Sequence, residues 1–153
     1  MIKIKSLILT SLFIFILSCG YKPLFQTKEV DFSITNIKFN GVKNLNLKIQ
    51  NNLKKYINKK NKPIFYDIEI NTEKRKTIIS KDSKGNAKIF NLEVIVNFKL
   101  SENNILKKEK TFIENFKYNN TSKKFELSQY EKNIEENLIN KILERINLLL
   151  LTL

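Results

Sequence analysis

Few side chains in this sequence are equipped for covalent chemistry. The chain has a single cysteine, Cys19, and no histidine. Around that thiol the sequence reads Leu17-Ser18-Cys19-Gly20, directly after the uncharged apolar run Ser6–Leu17. A thiol is a nucleophile once ionised, and small neighbours on both sides leave it accessible to a modifying enzyme. The absence of histidine excludes a histidine acid/base pair or triad. One cysteine without histidine cannot supply the nitrogen and sulfur ligands of a zinc site, nor can it form an internal disulfide. Three dispersed glycines exclude a glycine-rich phosphate loop. Asp67 and Glu69 share a strand face, but it is the face opposite Tyr66, Ile68 and Ile70, which reads as a solvated surface. No catalytic, metal-binding or cofactor residue is assigned, and the expectation is a protein without enzymatic activity.

The segment before Cys19 has the order of an export signal. Lys3 and Lys5 form a positive start, and the apolar run that follows is short of the roughly 20 residues a membrane span needs. Leucine two positions before the cysteine, then serine, cysteine and glycine, resembles the bacterial lipobox. In proteins with that pattern the thiol is diacylglycerylated, the leader is cut before the cysteine, and the new amine is acylated. Acylation at both positions exceeds the single-chain binding that is only reversible. The expected organisation is a leader over 1–18, an anchor and short linker over 19–29, and one domain over 30–153. A signal anchor with a coincidental cysteine is the competing reading; the only cysteine in the chain stands where a lipobox requires it. Glycine after the cysteine, in place of the aspartate that retains many lipoproteins at the inner membrane, favours the outer membrane, with the body on its periplasmic side. The lack of further cysteines suits an oxidising compartment.

The 153 residues are enough for one domain. Lys+Arg total 28 against 15 Asp+Glu, a net charge of +13. All the basic residues but Arg75 and Arg145 are lysine, and the chain is also rich in asparagine and isoleucine, a combination that looks like A/T-rich coding. The positive charge is therefore open to two readings, a solvated basic surface and a surface for an anionic ligand. Its distribution is uneven. Lys43–Lys62 carries seven lysines and no acid, Glu73–Lys88 carries six basic residues and two acids, and Glu126–Asn147 carries five glutamates and three basic residues. The first predicted helix is thus cationic, the last mildly anionic, and the two can lie side by side with complementary charge. Export and the lack of any recognisable motif argue against nucleic acid as a partner.

Hydrophobic spacing sets the elements that must carry these groups. Val30–Phe39 alternates, then shifts phase between Ile34 and Ile37, which predicts a strand with a bulge. Leu45, Ile49, Leu53 and Tyr56/Ile57 form one stripe of a helix over 44–58. Ile64–Asn71 alternates and runs on to Ile78-Ile79, Asp82–Asn86 is a hairpin loop, and Ala87–Leu100 is a strand with Leu92, Val94, Val96, Phe98 and Leu100 on one face. Ser101–Asn104 makes the next turn, and Ile105–Tyr118 returns with Phe112, Phe116 and Tyr118 on one face. Ser128-Gln129-Tyr130-Glu131 reads as a capping box opening the last helix, with a stripe of Tyr130, Ile134, Leu138, Ile142, Ile146 and Leu149. The result is an α+β fold in the order β-α-β-β-β-α: a four-stranded mixed sheet with two helices packed on one face.

Cys19-Gly20-Tyr21-Lys22-Pro23-Leu24-Phe25 resembles the opening of the LPS-assembly lipoprotein LptE family, whose members commonly begin Cys-Gly-aromatic-basic-Pro-Leu-aromatic. Tyr66-Asp67, the long strand Leu92–Leu100, the strand ending Phe116–Tyr118 and the C-terminal helix fit that family in outline; the asparagine and lysine of the last helix depart from its usual alanine and arginine. The resemblance implies a non-enzymatic outer-membrane lipoprotein that serves as plug and assembly partner of an LptD-type β-barrel in lipopolysaccharide export. It also implies contact with lipopolysaccharide, for which Lys74, Arg75, Lys76, Lys81, Lys84 and Lys88 are the candidate residues, and with outer-membrane lipid through acylated Cys19. The alternative is another periplasmic lipoprotein that binds an apolar or anionic ligand. Cys19→Ala is expected to block lipid addition and leave an uncleaved precursor; mass spectrometry of the mature N-terminus checks this, and an unmodified Cys19 in native membranes rejects it.

Overall fold

The computed structural model describes residues 30–153. Cys19, the leader and the linker lie outside the described residues. The elements run β1 (Phe32–Gly41), α1 (Lys43–Leu53), a 3-10 turn (Lys54–Tyr56), β2 (Ile64–Lys81), β3 (Ala87–Glu102), β4 (Ile105–Asn119) and α2 (Lys124–Leu151). The strands form one sheet in the order β1-β2-β3-β4, with β1 parallel to β2 and the other neighbours antiparallel. This is the expected mixed sheet, and both helices close the same core. Leu45, Ile49 and Leu53 of α1 and Ile134, Leu138, Ile142 and Ile146 of α2 join Ile68, Ile70, Val94, Val96, Phe98 and Phe112 of the sheet.

The phase shift in β1 is a real bulge: the pairing with β2 slips between Ile34 and Asn36, so Ile34 and Ile37 both stay on the helix side. At the β3–β4 turn, Asn103 and Asn104 have φ of 50° and 65°. Two successive left-handed residues suit a tight hairpin, and asparagine tolerates that region better than most side chains.

Three expectations change. The first helix ends at Leu53 and tightens into the 3-10 turn instead of running to residue 58. Ile57 is needed elsewhere, since it bridges to Ile34 in parallel and covers the free edge of β1. The last helix begins at Lys124, one turn before the apparent capping box, and neither Ser128 nor any other side chain caps it. The extra turn buries Leu127, seven positions before Ile134 and on the same face. Finally, Tyr130 and Phe116, assigned to buried faces, are about half exposed, at 46% and 45%. Phe116 stands on the outermost strand, and Tyr130 caps the core by its edge-to-face packing on Tyr118, with ring centroids 6.1 Å apart.

The joint between β1 and α1 fixes where the first helix sits. Gly41 has φ of +94°. A Cβ there would lie 1.9 Å from the Thr72 carbonyl oxygen. The close approach lets the Val42 amide donate to Thr72 Oγ1 at 2.9 Å, while that hydroxyl donates to Asn46 Oδ1 at 2.8 Å. Thr72 is buried, so these bonds satisfy a hydroxyl that would be costly to leave unpaired. Gly41→Ala is expected to cost roughly 2–4 kcal/mol through strain and displacement of Thr72. Urea unfolding of the variant checks this; an unchanged midpoint would mean the joint has another way to close.

Candidate functional site

Beyond Thr72 the sheet changes character. β1 ends there, opposite Gly41, and β2 continues to Lys81 as an outer strand. The positions that carried Tyr66, Ile68 and Ile70 toward the helices now carry Lys74 and Lys76. Lys74 Nζ meets Glu135 Oε2 at 2.8 Å, and Lys76 Nζ donates to Glu131 Oε1 at 2.6 Å. The ammonium of Lys76 also sits 4.2 Å from the Phe90 ring centroid. Each lysine lays its aliphatic stem over the apolar sheet and gives its charge to α2. Lys48 of α1 pairs with Glu136 at 3.0 Å, so the expected complementarity between the cationic and anionic helices is present. On the other flank, Arg145 of α2 donates to Glu114 of β4 at 2.6 Å. The last helix is therefore held from β2, from α1 and from β4.

Glu131 is the busiest of these acids. Its Oε1 also accepts from the Tyr118 hydroxyl at 2.7 Å. Burial pushes the Glu131 carboxyl up, but the hydrogen bonds from Lys76 and Tyr118 and the charges of Lys76 and Lys74 outweigh it and hold the group below its ordinary value. Burial, with the hydrogen bond to Glu131 and that carboxylate's charge, raises the Tyr118 phenol well above its ordinary range, so it remains a donor.

The six cations of the long hairpin thus fall into three settings. Lys74 and Lys76 bind α2. Arg75 points to the other face of the sheet, where Nε and Nη2 donate to Glu73 at 2.6 and 2.7 Å and Nη1 lies 3.7 Å from Glu93. Lys81, Lys84 and Lys88 surround the β2–β3 turn, exposed and without an ion-pair partner among the described residues. Asp82 organises that turn, accepting from the amides of Lys84 and Asn86 at 2.9 and 2.8 Å. The Asn86 backbone and side-chain bonds, then the Lys84 amide and the charge of Lys88, hold the Asp82 carboxyl below its ordinary value. The sequence spacing gave no separation between these settings. The signal lay in two spacings read jointly: Lys74 and Lys76 are one face of a strand, and Glu131 and Glu135 are one face of a helix.

The face of the sheet away from the helices is mixed, with ion pairs and amides beside the paired Ile95 and Ile113 and the exposed Phe65. Lys38–Glu69 and Lys99–Glu109 form ion pairs along one row at 3.9 and 3.3 Å. Asn36 donates to Asp67 at 3.0 Å and Thr111 to Asn97 at 2.8 Å. Asp67 and Glu69 stand on this face as expected and are occupied by those partners. Among the described residues no three His, Cys, Asp or Glu side chains converge on a point that could hold a metal ion. No helix among them is long and apolar enough to cross a membrane.

The fold is that of known lipoproteins. A minor lipoprotein from Acinetobacter baumannii is similar at TM-score 0.54 and 12% identity, covering 73% of this chain and 87% of its own. The rare lipoprotein B from Shewanella oneidensis is similar at TM-score 0.52 and 13% identity, covering 74% and 94%. An uncharacterized lipoprotein B from Nitrosomonas europaea is similar at TM-score 0.53 and 14% identity, covering 78% and 84%. At such identities what is shared is the backbone architecture. The sequence matches no protein-family model and no curated protein.

The Glu131 contacts predict a pH dependence. A carboxylate whose folded pKa is depressed contributes stability above its unfolded value, about 4.3 for glutamate, and loses it as pH falls through the folded value. Glu131→Gln is expected to lower stability at neutral pH by roughly 1–2 kcal/mol, the scale of a charge-assisted hydrogen bond. Its stability should then fall less steeply than that of the parent below about pH 4.5. Chemical denaturation across that range checks both; parallel curves for the two proteins would remove Glu131 as the titrating group.

Proposed function

We propose that this chain is a non-enzymatic outer-membrane lipoprotein, anchored through acylated Cys19, that seats in and assists assembly of an LptD-type β-barrel for lipopolysaccharide export. The observation that carries the reading is the pairing of the Cys19–Phe25 heptad with a body whose fold is shared with lipoproteins. The open sheet face supports it. A plug must lie against the polar, water-lined wall of a large barrel. The ion pairs Lys38–Glu69 and Lys99–Glu109 on that face let those charges meet such a wall already paired, which spares the cost of burying them alone.

The three settings of the hairpin cations narrow the lipopolysaccharide contact. Lys74 and Lys76 are committed to Glu135 and Glu131, and Arg75 to Glu73. Lys81, Lys84 and Lys88 meet no carboxylate within ion-pair distance among the described residues and stand at the far tip of the body, where they can reach lipid A phosphates at the end of a barrel. Exposed lysine–phosphate contacts are individually weak and salt-screened, so several must act together.

Purification of the acylated protein from outer membrane is expected to bring the barrel with it, and depletion to reduce assembled barrel and raise permeability to hydrophobic antibiotics. Normal barrel assembly and unchanged surface lipopolysaccharide after depletion reject the proposal. Joint neutralisation of Lys81, Lys84 and Lys88 to glutamine is expected to weaken lipopolysaccharide binding several-fold at low salt, with little loss at high salt. Joint neutralisation of Lys74, Arg75 and Lys76 should instead act first on thermal stability. Equal loss of lipopolysaccharide binding in both variants at unchanged stability would reduce the effect to net charge.

A further inference from the structure

The opposite end of the body from the hairpin tip carries a second concentration of charge, and it is differently built. The starts of β1 and β2, the β3–β4 turn, the segment after α1 and the last turn of α2 all meet there. Lys54, Lys55, Lys59, Lys60 and Lys62 fall within nine residues of that segment, with no acid among them. Among the described residues none of the five makes an ion pair, whereas Lys38, Lys48, Lys74, Lys76 and Lys99 each meet a carboxylate.

The segment is held in place. The Lys59 amide donates to Ser33 Oγ at 2.8 Å, the Asn58 amide to the Ile34 carbonyl at 3.2 Å, and Ile57 bridges to Ile34. Tyr56 packs on Phe32, with ring centroids 5.7 Å apart, and the Lys55 ammonium lies 4.9 Å from the Tyr56 ring centroid. The same end of the sheet also exposes apolar side chains, Phe65 at 55% on β2 and, at the opposite edge on β4, Ile105 at 63% and Leu106 at 53%.

We infer that this pole is a membrane-docking surface for the anionic headgroups of a phospholipid bilayer. Clustered lysines at one edge of a pole, with exposed aliphatic and aromatic side chains across the rest of it, are what an interface of phosphates over acyl chains binds. The place of the pole in the chain selects that occupant. The described chain begins at Val30, at this same end, eleven residues after Cys19. At most ~3.6 Å per residue, a membrane-held Cys19 keeps the pole within about 40 Å of the bilayer. A tether of that length raises the local concentration of headgroups, and contact then develops within a Debye length of about 8 Å. This inference rests on the anchor part of the proposed function. It adds that the lipid holds the body by its protein surface as well as by its acyl chains, which orients the hairpin tip away from the leaflet that holds the anchor.

The test uses the mature acylated protein on excess vesicles of phosphatidylethanolamine, with or without phosphatidylglycerol. Lysines are acetylated with a water-soluble ester and quantified one by one by mass spectrometry. Phosphatidylglycerol is expected to slow labelling of Lys54, Lys55, Lys59 and Lys60 roughly three- to tenfold, with reversal at high salt and no change at Lys81, Lys84 and Lys88. Equal labelling on the two vesicle types, or equal protection of the hairpin tip, overturns the inference. So does equal protection by inorganic phosphate in solution, which assigns the lysines to a soluble anion. The anchor is read separately, from the mass of the N-terminal peptide: an unacylated Cys19 rejects the anchor, while the lysine comparison on excess lipid still decides the surface.

Discussion

Six alternate side chains of β3, Phe90, Leu92, Val94, Val96, Phe98 and Leu100, point to one side of the sheet, and everything else is arranged to keep that side from water. The first helix alone cannot cover it. At about 1.5 Å per residue the eleven residues of α1 span about 16 Å, and at about 3.3 Å per residue the sixteen of β3 span about 50 Å. α1 therefore covers only the half of the sheet flanked by β1, where Gly41 and Thr72 seat it. The 28 residues of α2 run along the length of the sheet and complete the cover.

The half of the sheet without α1 uses a different physical device. Lysine stems replace the missing helix over the apolar surface, and their ammonium groups fix α2 through Glu131 and Glu135. Exposed ion pairs contribute little energy one at a time. Their arrangement here does more for register than for stability, because Lys48, Lys74, Lys76 and Glu114 each select one position along α2. Sliding α2 by one turn so that Glu131 replaced Glu135 opposite Lys74 would leave Lys76 facing Leu127 and Lys48 facing Lys132, so the shifted register loses two of the four pairs. Lysines on a strand that lacks a neighbour also discourage edge-to-edge association.

Cations with and without acid partners are both spread along the body. Ion pairs cross both faces of the sheet in its middle, although Lys43, Lys110 and Lys141 there have no carboxylate within ion-pair distance among the described residues. The two ends, the hairpin tip and the segment after α1, keep lysines without carboxylate partners.

Much of this architecture was legible in the residues alone. Period-two alternation placed all four strands, including the bulge after Ile34, because a side chain's face on a strand depends only on its parity. The Leu17–Phe25 stretch, read without any fold, carried the functional reading through local chemistry at one thiol. Helix ends were less legible. Ile57 left the first helix to bridge Ile34, and Leu127 drew the last helix back by a turn, both for contacts distant in sequence that outweighed the local signal at Ser128. The hairpin cations show the same limit. Lys74, Arg75 and Lys76 are adjacent in sequence, yet two serve one face and one the other, and their partners lie from 2 to 61 residues away. Sequence fixes which groups are charged and which face of an element carries them. Whether a charge is spent inside the protein or kept for a ligand depends on what the fold brings opposite it, and only the tertiary structure decides that.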